Sequence, residues 1–302
     1  MSSRFIVPCL WFDDQAEQAA QFYIQIFPDG RITALSHYPE SKDNPSGKPR
    51  GSVITVEFEV AGQCFTALNG GPNFVIGPSI SFFVHVDSLT DADRLFTALA
   101  DQGKVLMPLG SYPWSERYGW VQDRFGVSWQ IIAGQRAPGG ATIVPCLMFA
   151  GAVHAKAEAA MRQYADIFPE GRITSVERYV ADEGPQGTVK HGRFVLSGQE
   201  MIAMDSHIDH GVTFNEAISF QVMCKDQDEL DRYWAALSED VGTGSCGWLK
   251  DRFGVSWQVV PIGIAEWMTS KDAAARDRAF EAVMRMKKLD IAAIQAAFDA
   301  KS

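Results

Sequence analysis

The octapeptide DRFGVSWQ occurs twice, at 123–130 and at 251–258, and it closes two copies of a longer pattern. IVPCL at 6–10 returns at 143–147, FPDGRIT at 27–33 returns as FPEGRIT at 168–174, and ISF at 80–82 returns at 218–220. The order is kept and the separation stays at roughly 130 to 140 residues, the size of a whole domain rather than of a solenoid repeat. The chain therefore reads as a first domain over 1–133, a small, Gly-rich linker over 134–141, a second domain over 142–268 and a tail over 269–302.

Within a copy, hydrophobic periodicity alternates between strand and helix. Ile6 to Phe12 reads as a buried strand, and Asp14 with Glu17 spells a capping box for a helix carrying Ala16, Ala19, Ala20, Tyr23 and Phe27. Strands follow at 31–37, 52–60 and 63–69, with Ile54, Val56, Phe58 and Val60 alternating against Thr55, Glu57 and Glu59 as in a half-buried strand. The pattern restarts at Ile80. Copy two follows suit, with Asp226 and Glu229 capping a helix faced by Leu230, Tyr233, Trp234 and Leu237. Each domain is thus two β-α-β-β-β modules, an α+β arrangement whose curled mixed sheets enclose a cleft with helices outside. The tail reads as two helices broken near Lys288, packing on the domains or across a homodimer interface.

Composition excludes several classes of partner. With 27 basic and 37 acidic residues the formal charge is −10, which disfavours nucleic acid. The N-terminus reaches acidic residues before a signal-like core could finish, and no stretch approaches the roughly 20 apolar residues of a membrane span. Five scattered cysteines without metal-finger spacing suit a reducing cytoplasm. Cys9 and Cys146 sit at matching places inside strands, where a thiol acts as a small hydrophobe. The expected partner is a small molecule, with no cofactor, membrane or nucleic acid.

Taken together, IVPCLWFDDQAEQAAQFYIQIFPDGRIT, TALNGGPNF, SYPWSERYGWVQDRFGVSWQ, CGWLKDRFGVSWQVVP and MKKLDIAAIQAAF resemble the PhnB-like branch of the vicinal oxygen chelate superfamily. That superfamily includes glyoxalases, extradiol dioxygenases and bleomycin-resistance proteins, and the branch often carries the label of a demethylubiquinone 3-methyltransferase. The resemblance implies two tandem glyoxalase-like domains. It puts the superfamily's metal-ligand positions at about Pro8 and Pro145, Ser81 and Ser219, and Gln130 and Gln258, with Asn69 and Asp205 near a fourth. Proline cannot ligate, serine ligates transition metals poorly, and glutamine brings no charge to neutralise a dication. A cup that keeps its shape without a chelator is expected, with Gln130 and Gln258 as polar anchors for an organic ligand.

Trp11, Trp114, Tyr118, Cys246 and Trp248 are the expected walls, Asn69 and Asp205 further contacts, and Trp129 and Trp257 pure core. The alternative is an enzyme: a glyoxalase- or dioxygenase-like metal catalyst using Asp205, His207, His210 and Gln258, or a thiol reaction at Cys246 helped by Lys250. The literal G-x-G-x-x-G at 242–247 follows a helix and precedes a strand, the reverse of a dinucleotide loop, and this counts against a Rossmann-type methyltransferase.

Overall fold

The computed structural model describes residues 5–39, 47–134, 140, 142–208, 210–239 and 244–300, so most of the linker expected at 134–141 lies outside the described residues. The first module is β1 (Ile6–Phe12), α1 (Ala16–Ile26), β2 (Arg31–His37), β3 (Val53–Val60) and β4 (Gln63–Asn69). The second is β5 (Ile80–Val86), α2 (Leu89–Ala100), β6 (Lys104–Tyr112), β7 (Ser115–Gln122) and β8 (Ser128–Ala133). The third is β9 (Ile143–Phe149), α3 (Ala157–Ile167), β10 (Arg172–Arg178), β11 (Val189–Leu196) and β12 (Gln199–Asp205). The fourth is β13 (Ile218–Cys224), α4 (Gln227–Leu237), β14 (Trp248–Lys250) and β15 (Ser256–Pro261), and the tail is α5 (Ile264–Met268), α6 (Ala273–Met284) and α7 (Ile291–Asp299). Among the described residues no helix is long and apolar enough to cross a membrane.

Strand pairing crosses the repeats. A seven-stranded sheet runs β14-β15-β13-β1-β4-β3-β2, joining the first module to the fourth, and an eight-stranded sheet runs β10-β11-β12-β9-β5-β8-β7-β6, joining the third to the second. The seams are antiparallel: β1 meets β13 from Ile6 opposite Val222 to Leu10 opposite Ile218, and β9 meets β5 in the matching register. Each cleft is therefore floored by strands from both halves of the chain.

Side-chain packing on the helical faces ties each repeat to itself, and the doubled octapeptide is the device. Asp123 accepts two backbone N–H groups at Oδ1, from Phe125 (2.9 Å) and Val127 (3.0 Å). At Oδ2 it accepts the Tyr23 hydroxyl from α1 and the Trp129 indole N–H, both at 2.8 Å. Asp251 repeats this with Phe253, Val255, Tyr164 of α3 and Trp257. Gly126 and Gly254 sit at φ of 89° and 85°, a left-handed turn that a side chain would strain, and so let the loop curl around its own aspartate. Trp129 and Trp257 are fully buried, and burial pushes the Asp123 carboxyl up to about 6 despite its four donors.

The expected capping box at Asp14 does not form. Gln15 is the N-cap and caps nothing, while Asn69 at the end of β4 accepts the Ala16 N–H at 2.8 Å. The same geometry holds in copy two, where Asp205 accepts the Ala157 N–H at 3.1 Å. A parallel strand beside β1 delivers its last side chain to the helix start, so the tertiary cap displaces the local one. At Asp226 the expected cap does form, with the carboxylate accepting the Glu229 N–H at 2.9 Å, while the Glu229 carboxylate reaches back one residue further and accepts the Lys225 N–H at 2.9 Å.

The tail folds back on its own chain. Cys246 N–H donates to the Met286 carbonyl (2.7 Å) and Gly247 N–H to that of Lys287 (2.8 Å), fastening the turn before β14 to the tail. Gln227 of α4 donates to the Leu289 carbonyl and accepts the Ile291 N–H, and Leu289 and Ile294 are fully buried.

Candidate functional site

On the concave face of the seven-stranded sheet, alternation brings one side chain from each strand into a row. Glu57 of β3 pairs with Thr66 of β4, Thr66 with Cys9 of β1, and Cys9 with Ser219 of β13. A hydrogen-bonded chain runs across this floor: the Thr66 hydroxyl donates to Gln221 Oε1 (2.8 Å), Gln221 Nε2 to Gln258 Oε1 (3.3 Å), and Gln258 Nε2 to the Ser219 hydroxyl (2.9 Å). Above it lies a cavity of about 560 Å³, walled by Trp11, Phe74 and Trp248 and covered by Phe280, Val283 and Met284 of α6. The volume is that of a drug-sized ligand site.

Trp11 defines one wall. Its ring meets Trp248 edge-on at 5.8 Å and Phe74 at 5.0 Å, and its indole N–H donates to the Gly71 carbonyl at 2.8 Å. Gly70 makes this placement possible, because a Cβ there would stand 2.2 Å from the indole ring.

The second cleft keeps the same floor positions and fills the space above them. Gln130 Nε2 donates to the Ser81 hydroxyl at 2.8 Å, and its Oε1 accepts the buried Tyr118 hydroxyl. Ile202 takes the place of Thr66, Phe83 that of Gln221 and Arg193 that of Glu57, as the strand registers match. Phe83, Tyr118, Ile132, Val144, Cys146 and Ile202 form one buried cluster. A polar floor under an open space in one cleft is an apolar plug in the other.

The expected site residues thus separate into groups. Trp11, Cys246, Trp248 and Gln258 line the open cavity. Tyr118 and Gln130 belong to the filled cleft, and Trp114 lies half exposed, stacked on Tyr112 at 5.0 Å. Asn69 and Asp205 must be reassigned, since both carboxamide and carboxylate are spent on backbone: Asn69 on Ala16 and Val53, Asp205 on Ala157 and Val189. The first-strand position also shifts by one residue. Cys9 and Cys146, not Pro8 and Pro145, face Ser219 and Ser81.

Glu57, Thr66, Gln221 and the α6 residues were not expected. Glu57 was legible only as the polar phase of β3, which an isolated strand assigns to solvent. Gln221 was legible as the one difference between ISFQV and ISFFV.

The donors do not suit a divalent metal of the kind the superfamily holds. Cys9, Ser219 and Gln258 bring no ready negative charge, since burial pushes the Cys9 thiol up to about 12, and Glu57 stands two strands away. Among the described residues no three His, Cys, Asp or Glu side chains converge on a metal position. His207 packs edge-on to Tyr179 and His210 shares a hydrogen bond with Ser206 at 2.8 Å.

Cys246 is equally unsuited to nucleophilic attack. Burial raises its pKa, its sulfur lies 3.5 Å from that of Met284, and Lys250 is engaged with Glu216 at 2.8 Å. Iodoacetamide at neutral pH is therefore expected to modify Cys246 more slowly than a free thiol, and to reach Cys9 and Cys146 only on unfolding. Peptide mass spectrometry checks this, and rapid stoichiometric alkylation of Cys246 in the folded chain would contradict it.

Residues 4–132 and 141–260 match the family model described as 3-demethylubiquinone-9 3-methyltransferase. The PhnB protein of Bacillus cereus is 37% identical over 43% of this chain and 99% of its own, with a TM-score of 0.39. Protein PA1353 of Pseudomonas aeruginosa is 32% identical over 44% and 99%, with a TM-score of 0.37. Each of these is about as long as one repeat. Glyoxalase I of Zea mays is 12% identical over 84% of this chain and 90% of its own, with a TM-score of 0.52, a likeness of fold. No curated protein matches the chain.

Proposed function

The chain belongs to the 3-demethylubiquinone-9 3-methyltransferase, PhnB-like family with its glyoxalase-like fold, and from that premise we propose that it binds one small organic molecule per chain, in the cavity beneath α6. The observation that carries this reading is the contrast between the clefts. The floor Thr66–Gln221–Gln258 lies under open, aromatic-walled space, while its counterpart is sealed by Phe83, Tyr118 and Ile202. A ligand burying about 250 Å² of apolar surface there gains roughly 6 kcal/mol before the costs of association. Micromolar binding needs about 8 kcal/mol net, so hydrogen bonds to the amide floor have to supply part of it.

Two enzymatic readings draw less support. The thiol is held protonated and the donor set does not suit a divalent metal. Methyl transfer, which the family's name describes, draws none from the glycine pattern, whose order of helix, loop and strand is the reverse of a cofactor loop.

Nile red, a neutral solvatochromic dye, tests the reading. Leu68→Trp projects a ring into the cavity and is expected to weaken dye binding at least about tenfold. Met204→Trp, at the equivalent place in β12, is expected to leave it unchanged. Loss with Met204→Trp and retention with Leu68→Trp would refute the assignment.

A further inference from the structure

We infer that the molecule taken by this cavity is an organic cation, an amine or ammonium group on an apolar body, with its charge at Glu57 and its hydrocarbon against Trp11 and Trp248. The inference rests on the binding reading above and gives its ligand a chemical class.

Glu57 is a carboxylate where the sheet floor meets the cavity, paired in register with Thr66. It makes no hydrogen bond or ion pair among the described residues, and burial alone raises its pKa. The residue is half-buried, so its carboxylate is partly desolvated with no protein charge beside it, and a cation brought to it would be stabilised. The other charged groups on the cavity wall have partners of opposite sign: Glu216 holds Lys250 at 2.8 Å, and Arg276 lies 3.7 Å from Asp277. His37 stands exposed at the rim. Glu57 is thus the uncompensated charge of the site.

The walls fit the same ligand. Trp11 meets Trp248 and Phe74 edge to face on the cavity wall, and Tyr38 and Phe280, on the same wall, form a second such pair at 6.3 Å. Aromatic faces attract ammonium groups through the ring quadrupole, most strongly where water is excluded. The repeat supplies an internal contrast, because Arg193 stands where Glu57 stands in the first module. The acid belongs to the open cleft and the base to the filled one. A formal charge of −10 on the whole chain favours approach of a cation.

The experiment is competition against bound Nile red at about pH 8, well above the ordinary carboxyl range. The competitors are benzyltrimethylammonium and neopentylbenzene, its uncharged isostere. The cation is expected to displace the dye at a concentration at least about tenfold lower than the isostere. Glu57→Gln is expected to remove that preference, measured as the ratio of the two competitors' displacing concentrations, and a melting temperature near wild type shows that the variant is folded. Equal displacement by the two competitors, or a preference that survives in Glu57→Gln, would overturn the cation assignment and leave the cavity reading standing. Failure of the wild-type chain to bind Nile red would overturn both.

Discussion

Asp251→Ala is expected to cost about 3–5 kcal/mol of unfolding free energy and to lower the melting temperature by roughly 6 to 15 °C. The carboxylate receives the Tyr164 hydroxyl at 2.6 Å, the Trp257 indole N–H at 2.9 Å and the N–H groups of Phe253 and Val255 at 2.8 and 3.1 Å. Alanine leaves four donors inside the core, each costing about 1–3 kcal/mol of unreturned desolvation, less whatever water can recover. It also frees α3 of the third module from the loop of the fourth. Asp251→Asn keeps one acceptor but turns an NH₂ group toward donors, so its loss should fall between wild type and alanine. Denaturant unfolding followed by tryptophan fluorescence reads all three. A loss below about 1 kcal/mol for alanine would mean that the aspartate does not fasten the modules.

Ending the chain after Ser270 is expected to reduce Nile red affinity by at least about tenfold, because α6 supplies Phe280, Val283 and Met284 to the cavity. Leu289 and Ile294 are fully buried by the same segment, and burial of such side chains contributes about 1.5–3 kcal/mol each, so stability should also fall. Phe280→Ala in the full chain separates the two effects. That residue is only half buried, so the variant should keep a melting temperature near wild type and still bind the dye several-fold more weakly. Unchanged dye affinity in both variants would mean that the tail is no part of the site.

Much of this architecture was legible because a tandem repeat is read by identity rather than by propensity. IVPCL and DRFGVSWQ marked equivalent strands, and the alternation of β3 and of SWQII gave their buried faces. The pairing partner of each module was not legible. Antiparallel contact between β1 and β13 is made by backbone groups about 210 residues apart, and the ISF that opens β13 opens β5 as well, so the residues that pair with the strand do not single out one of the two.

The site was half legible for a related reason. Gln258 could be placed by alternation from Trp257, but the first-strand residue was displaced by one, and in a strand one residue exchanges the two faces. Asn69 and Asp205 were expected as ligand contacts because the family resemblance sets them near a metal-ligand position; each instead accepts the first N–H of a helix, α1 or α3, more than 45 residues earlier. Glu57 is legible only as part of the polar phase of a half-buried strand, since sequence gives that phase without saying what covers it. Here α6 does, more than 200 residues later.

The most direct measurement is the number of Nile red molecules bound per chain at saturation, read by titration at protein concentrations well above the dissociation constant. An open cleft beneath α6 and a plugged sibling predict one. Two per chain, or none, would contradict the account.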